Sequence, residues 1–304
     1  MPHHVFTPKT YHQTLGSHLP ALSIADGDTV TTSTLDANGY DANNVVQARD
    51  PNPMSGPFFV TGAEPGDTLA VEIQTIKMTR ATGWTRQGLA WHVVPAAHVR
   101  SMPPREKITW DISPGQNSIT LQQPPPELQN WSIPIIPMIG CFGVAPAGGE
   151  AISTATSGNH GGNMDYRRFG EGATAYFPVA VPGALFFVGD VHGAQGDGEI
   201  TGTGIETSAE VTLKFRLIKE RSVLWPRGEN EHAIFTVGNA RPLELALQHA
   251  TAEMLTWLEM DYGLDKIAAS HFLGMNVRYD IGNVFNPAFS VACRIKKAAL
   301  AALK

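Results

Sequence analysis

The run Ser208–Glu220, SAEVTLKFRLIKE, constrains the fold more than any other stretch of the chain. Val211, Leu213, Phe215 and Leu217 fall on one side of an extended backbone, and Thr212, Lys214 and Arg216 fall on the other. A period of two with polar partners describes a strand buried on one face. Asp67–Gln74 repeats the pattern with Leu69, Val71 and Ile73. The 30 glycines and 22 prolines supply many turns, which favours sheets over a helical bundle. Strand signals continue from about residue 27 to 238. In ATAYFPVAVPGALFFVGDVH, two apolar strands flank Val181-Pro182-Gly183-Ala184, and Pro followed by Gly suits a type II turn. This predicts a hairpin.

From about residue 239 the pattern becomes helical. Leu243, Leu247, Ala250, Met254 and Leu258 share one face, with Pro242 at the start and Gly263 past the end. A second helix is expected from about Leu264 toward Phe272, and the tail IKKAALAALK has helix-forming composition. The fold class expected is mainly β (α+β) with C-terminal helices. Residues 1–304 form one unit, with a β-rich part at about 20–238 and a helical or mixed part at about 239–304.

Composition excludes several partners. A net charge of −6 with no basic stripe argues against nucleic acid. No stretch approaches the roughly 20 apolar residues of a membrane span, and MPHHVFTPKTYHQTLGSHLP lacks the apolar core of a secretion signal. Cys141 and Cys293 form neither a metal spacing nor a disulfide framework, so a reduced, cytoplasmic protein is expected.

Two glycine-hinged polar segments can carry chemistry. Gly189–Glu199, GDVHGAQGDGE, follows an apolar strand, so Asp190 and His192 sit two apart and can face one side. They can bind a divalent metal or act as base and orienting partner. The glycines let the backbone return Gln195, Asp197 and Glu199 toward the same place. The plainer reading is an acidic surface loop with one histidine. Ser157–Asp165, SGNHGGNMD, groups His160, Asn163 and Asp165 around Gly161-Gly162, whose amides can form a nest for an oxyanion. The plainer reading here is a tight turn capped by Asn and Asp.

HGGNMD (160–165), GDVHGAQGDGE (189–199), SGPFFVTGAEPGDTLAVEI (55–73) and PMIGCFGVAP (137–146) resemble the acetamidase/formamidase family, as does ARPLELALQHATAEMLTWL. The resemblance spans about residues 27–295. It implies hydrolysis of a short linear amide to carboxylate and ammonia. It also implies a jelly-roll-like β-sandwich with additional mixed α/β parts, a homo-oligomer and a bound divalent cation.

Hydrolysis of an amide needs its oxygen polarised, a water activated and the nitrogen protonated. A metal on Asp190, His192 and Asp165 can do the first two tasks. Glu199 or Asp197 can carry the proton, and Asn163 with the nearby amides can hold the oxyanion. His160 and Gln195 complete the catalytic candidates. His92, in the apolar LAWHVV, reads as a core histidine or a further ligand. Asp36, in TLDANGYDAN, reads as a turn cap or a ligand. Glu64 and Glu206 are outsiders, and Cys141 sits in an apolar setting that keeps a thiol inert. Mixed Asp/His ligation suits zinc, manganese or iron; zinc stands first, with calcium or manganese as alternatives.

No Gly-x-Ser-x-Gly elbow, His-Glu-x-x-His or P-loop occurs. The rivals are hydrolysis of a cyclic or bulkier amide, with Trp84, Trp91 and Phe142 around a larger pocket, and a calcium-stabilised binding module. Imidazole at His192 argues against the module, since structural calcium takes oxygen ligands.

Overall fold

The computed structural model describes residues 1–303 and is built on two large sheets. The first has nine strands, in the order His3–Phe6, Thr29–Thr34, Ala209–Ile218, Thr68–Met78, Thr174–Pro178, Arg227–Glu229, Ala233–Ala240, Phe289–Lys296 and Arg278–Asn283. The second runs from Ser157–Gly158 through Gly161–Asn163, Met138–Val144, Phe186–His192, Glu206–Thr207, Thr82–Arg86 and Lys107–Ser113 to Ser118–Leu121. Ser55–Val60 and Leu22–Ile24 branch from Phe186–His192. The mainly β expectation holds.

The alternation read in the sequence places the core. Leu213 pairs with Ile73 and Phe215 with Val71, and all four side chains are fully buried. They meet Phe58, Ile139, Phe142, Val144, Phe186 and Val188 of the second sheet in one cluster. Aromatic rings lock that layer edge to face: Phe142 lies 5.2 Å from Phe177, and Phe186 lies 5.2 Å from Phe215. Each such phenylalanine contributes about 1.5–3 kcal/mol by burial.

The expected hairpin does not form. Thr174–Pro178 and Phe186–His192 are both strands, but they lie in different sheets, and Val181–Ala184 carries the chain across the sandwich. The turn itself is present: Ala184 N–H donates to Val181 O, and Gly183 takes a φ of 76°. Helix Leu243–Tyr262 ends at Gly263 in the left-handed conformation, and helix Lys266–Asn276 is capped by Asp265. Ala250, Met254, Trp257 and Leu258 of the long helix pack on Ile234, Cys293 and Ile295, on the outer face of the nine-stranded sheet. Arg278–Asn283 and Phe289–Lys296, after the helices, are strands of that same sheet. Cys141 and Cys293 are free and buried. Among the described residues no helix is long and apolar enough to cross a membrane.

Candidate active site

Two adjacent strands of the second sheet break their alternation at the same point. Ile139 and Phe142 both join the inter-sheet core although three positions separate them, and so do Val188 and Val191. The ladder is interrupted where Gly140 faces Asp190, and both strands turn their side chains over by one position there while keeping register. Asp190 adopts a φ of 55° there. Asp165 (φ 47°) and Glu199 (φ 46°) share that left-handed conformation, which costs on the order of 1 kcal/mol or more per non-glycine residue and clusters at functional sites.

These turns bring buried acids onto one histidine. Asp165, Asp190 and His192 offer atoms all within 4.8 Å of one another, as do His192, Glu199 and Glu206. Glu206 arrives by pairing: it lies directly across from His192 on the neighbouring strand, and its Oε1 is 3.1 Å from His192 Nε2. Asp190 Oδ1 lies 3.4 Å from the same nitrogen. Asp165 folds back over Gly140, whose carbonyl accepts from the Met164 and Asp165 amides.

Supporting side chains orient this group. Gln195 Nε2 donates to the carbonyls of Asp165 (2.6 Å) and Gly282 (3.3 Å). That fixes its amide so that Oε1 accepts from His192 Nδ1 at 2.7 Å. With Nδ1 as donor, Nε2 is the nitrogen turned toward the acids and the one that a bound ion would take in place of a proton. Asn286 Nδ2 donates to Asp165 Oδ2 at 2.6 Å and leaves Oδ1 free. Asn283 braces the same corner by donating to the carbonyls of Asn163 and Met164.

The electrostatics call for a cation. Burial and then the Asp190 charge raise Asp165 to about 7. Burial raises Glu206 to about 8, and burial with Asp165 pushes Glu199 well above the usual carboxyl range. Burial alone would lower His192, but Glu206 and Asp190 outweigh it and hold the ring well above an ordinary histidine. Asp165 Oδ1, Asp190 Oδ1, His192 Nε2, Glu199 Oε2 and Glu206 Oε2 are buried without a hydrogen-bond partner. Uncompensated acids in so dry a place cost several kcal/mol each. A divalent ion would satisfy these atoms, and the donor set fits one.

The other expected residues are placed differently. Asn163 Oδ1 and both His160 nitrogens are buried without partners on the neighbouring turn, and neither residue belongs to the ligand groups. Asp197 is exposed and pairs with Arg167. Asp36 is buried but accepts from the Asn38 and Tyr40 amides, Arg80 and Trp84, the turn-capping role. His92 is exposed on the short turn Trp91–Val93, bonded to the Val284 carbonyl and stacked on Phe285 and Phe289. It is not a core residue, and it belongs to neither group of converging ligand atoms. Trp84 and Phe142 are buried in packing, and Trp91 is exposed. Asn283 and Asn286 carry no local sequence signal, and Glu206, an outsider by sequence, gains its place through strand pairing, since only long-range folding brings the three here.

Two cavities flank the loop after His192. One, of about 410 Å³, is lined by Trp110, Trp131, Ile136, Ala194, Gln195 and Gly204. The other, of about 560 Å³, is lined by Asp197, Gly198, Ile200, Ile281, Val284 and Phe289.

The acetamidase/formamidase family model matches residues 10–149 and 144–253. The chain belongs to that family. An acetamidase of Mycolicibacterium smegmatis is 28% identical over 62% of this chain and 59% of its own length. The solved acetamidase of Yersinia enterocolitica superposes with a TM-score of 0.85 at 30% identity, covering 99% of this chain and 93% of its own. That of Bacillus halodurans gives 0.84 at 29%, covering 98% and 99%. The chain spans about three fifths of the length of the curated family relatives it matches.

Proposed function

We propose that the protein hydrolyses the C–N bond of short linear amides, of the formamide or acetamide type, at a divalent ion held by Asp165, Asp190 and His192. One observation carries the reading. In a chain of this family, three unpartnered ligand atoms converge within 4.8 Å, one of them on a histidine whose tautomer is locked.

A bound ion would polarise the amide oxygen and lower the pKa of a water. The chain's residues supply the rest. Gln195 holds the imidazole in place, and Asn286 holds Asp165. Glu199 and Glu206 stand beside the proposed ligands as proton carriers. Water attacks the carbonyl carbon and gives up a proton, the C–N bond breaks, and the nitrogen gains a proton. A carboxylic acid and ammonia result, and the acid's proton passes to ammonia, so that carboxylate and ammonium leave. Buried backbone around the acids excludes bulk water, which strengthens each of these interactions. Zinc fits a mixed imidazole and carboxylate set better than calcium does, and stands first. The two buried free thiols suit a reducing compartment, and we place the protein in the cytoplasm.

The test is ammonia release from formamide, acetamide and propionamide, run with elemental analysis and with and without chelator. Turnover lost on chelation with the fold intact, and regained on adding zinc, supports the reading. Full turnover by metal-free protein overturns the metal assignment. No ammonia from any of the amides by metal-loaded protein overturns the substrate assignment.

A further inference from the structure

We propose a second ligand site, for a small organic monocarboxylate with an apolar body, on the face of the sandwich opposite the acidic cluster. A cavity of about 240 Å³ lies between the outer face of the nine-stranded sheet and helix Leu243–Tyr262. Arg216, Arg227, Tyr176, Trp257, Tyr262 and Ile218 are among its walls.

Arg227 is the observation that points to a ligand. It is 3% exposed, yet only part of its guanidinium is used. Nε donates to Glu253 Oε1 at 2.5 Å, and the guanidinium lies 5.0 Å from the Trp257 ring centre, while Nη2 has no acceptor at all. Glu253 is spent elsewhere as well, since its Oε2 accepts from the Leu224 and Trp225 amides. One buried guanidinium donor is therefore left idle beside the cavity. Burying one without a partner costs about 1–3 kcal/mol.

The neighbouring charges define the anion. Arg221 is paired with Asp261, which also accepts from Trp257 Nε1 at 2.9 Å and so steadies that ring. Glu229 is held by Lys297 at 2.6 Å and by the Tyr176 hydroxyl at 2.5 Å. Arg216 also lines the cavity and, among the described residues, makes no ion pair. Three arginines therefore face two carboxylates on the walls, an excess of one positive charge, which matches a monoanion and leaves a dianion such as phosphate with one charge unmatched. A guanidinium fork matches a planar carboxylate, and Ile218, Val223 and Ile234 give the cavity an apolar wall for the rest of the molecule.

Benzoate is the probe. Titration of the full-length protein by calorimetry, with inorganic phosphate and benzyl alcohol alongside, should give benzoate a Kd below about 1 mM and show no binding of the other two. Arg216→Ala, at an exposed strand position, should weaken benzoate at least about tenfold with an unchanged melting temperature. Arg227→Lys keeps the charge but loses the fork and should do the same. No binding of benzoate, binding untouched by Arg216→Ala, or phosphate binding as tightly would each overturn the proposal. The site is remote from the acidic cluster, so an inactive amide assay leaves this result standing, and the converse holds.

Discussion

Gly140 lies directly against two carboxylates of the cluster: a Cβ placed on it would sit 2.6 Å from Asp165 Oδ1 and 2.9 Å from Asp190 Oδ2. Real Cβ atoms do not tolerate such distances, and both oxygens belong to short side chains on left-handed backbones, with little room to retreat. Gly140→Ala should therefore push the two acids apart while leaving the strands paired. The expected result is a loss of divalent-ion affinity of about tenfold or more, of the kind seen when support around a metal is disturbed. Circular dichroism should be unchanged. Metal content after dialysis against a graded chelator series measures it, and retention equal to the parent protein would show that the oxygens adjust.

Gln195 touches no carboxylate of the cluster, only the Asp165 backbone carbonyl, yet it sets which nitrogen of His192 faces the acids. Gln195→Leu keeps similar bulk and removes the acceptor of Nδ1–H. The ring can then rotate or take the other tautomer, and ion affinity should fall about 10–100-fold. His192→Ala should abolish binding of the ion and turnover together. A competition titration with a coloured chelator reads both variants. Equal affinity in the leucine variant would mean that packing of Gly204 against the imidazole is enough to hold it.

What could be read in advance follows from how local each signal is. The alternation of Leu69, Val71 and Ile73 and the helix bounded by Pro242 and Gly263 are properties of consecutive residues, and both appear where expected. The partner of a strand is not local. Thr174–Pro178 and Phe186–His192 are strands joined by the expected turn, but periodicity carries no information about which sheet receives each. The site divides in the same way. Asp190, His192 and Gln195 sit in one glycine-hinged segment, and Asp165 follows another. Glu206 gains its place only by lying across from His192, and Asn286 reaches Asp165 over 121 residues. His92 and Asp36 attracted notice through residue type, and folding gave them a surface stack and a turn cap.

Acid sensitivity should report on Asp280. Burial opposes its charge, but hydrogen bonds from Arg294, Tyr166 and Arg168 prevail and hold it at about 2. The folded value lies below the unfolded one near 3.9, so its stabilising effect is complete above about pH 4 and is lost as pH falls toward 2. Asp280→Asn should lower stability at neutral pH, on the order of 3 kcal/mol for a broken, mostly buried ion network. It should also flatten the fall of melting temperature between about pH 4 and 2. Melting curves on both proteins across that window decide it; parallel curves would remove Asp280 from the account.

His160 should act in a different window. Burial without partners lowers its pKa to about 4, against about 6.5 in the unfolded chain. As pH falls from 6.5 to 4 the unfolded chain binds a proton that the folded protein refuses, so stability declines across that interval and levels off below it. His160→Gln keeps a polar side chain of similar reach that cannot titrate. Its melting temperature should lack the decline between about pH 6.5 and 4 that the parent shows, with the two curves converging or crossing at the acid end. An unchanged slope would mean that the ring is protonated in the fold after all.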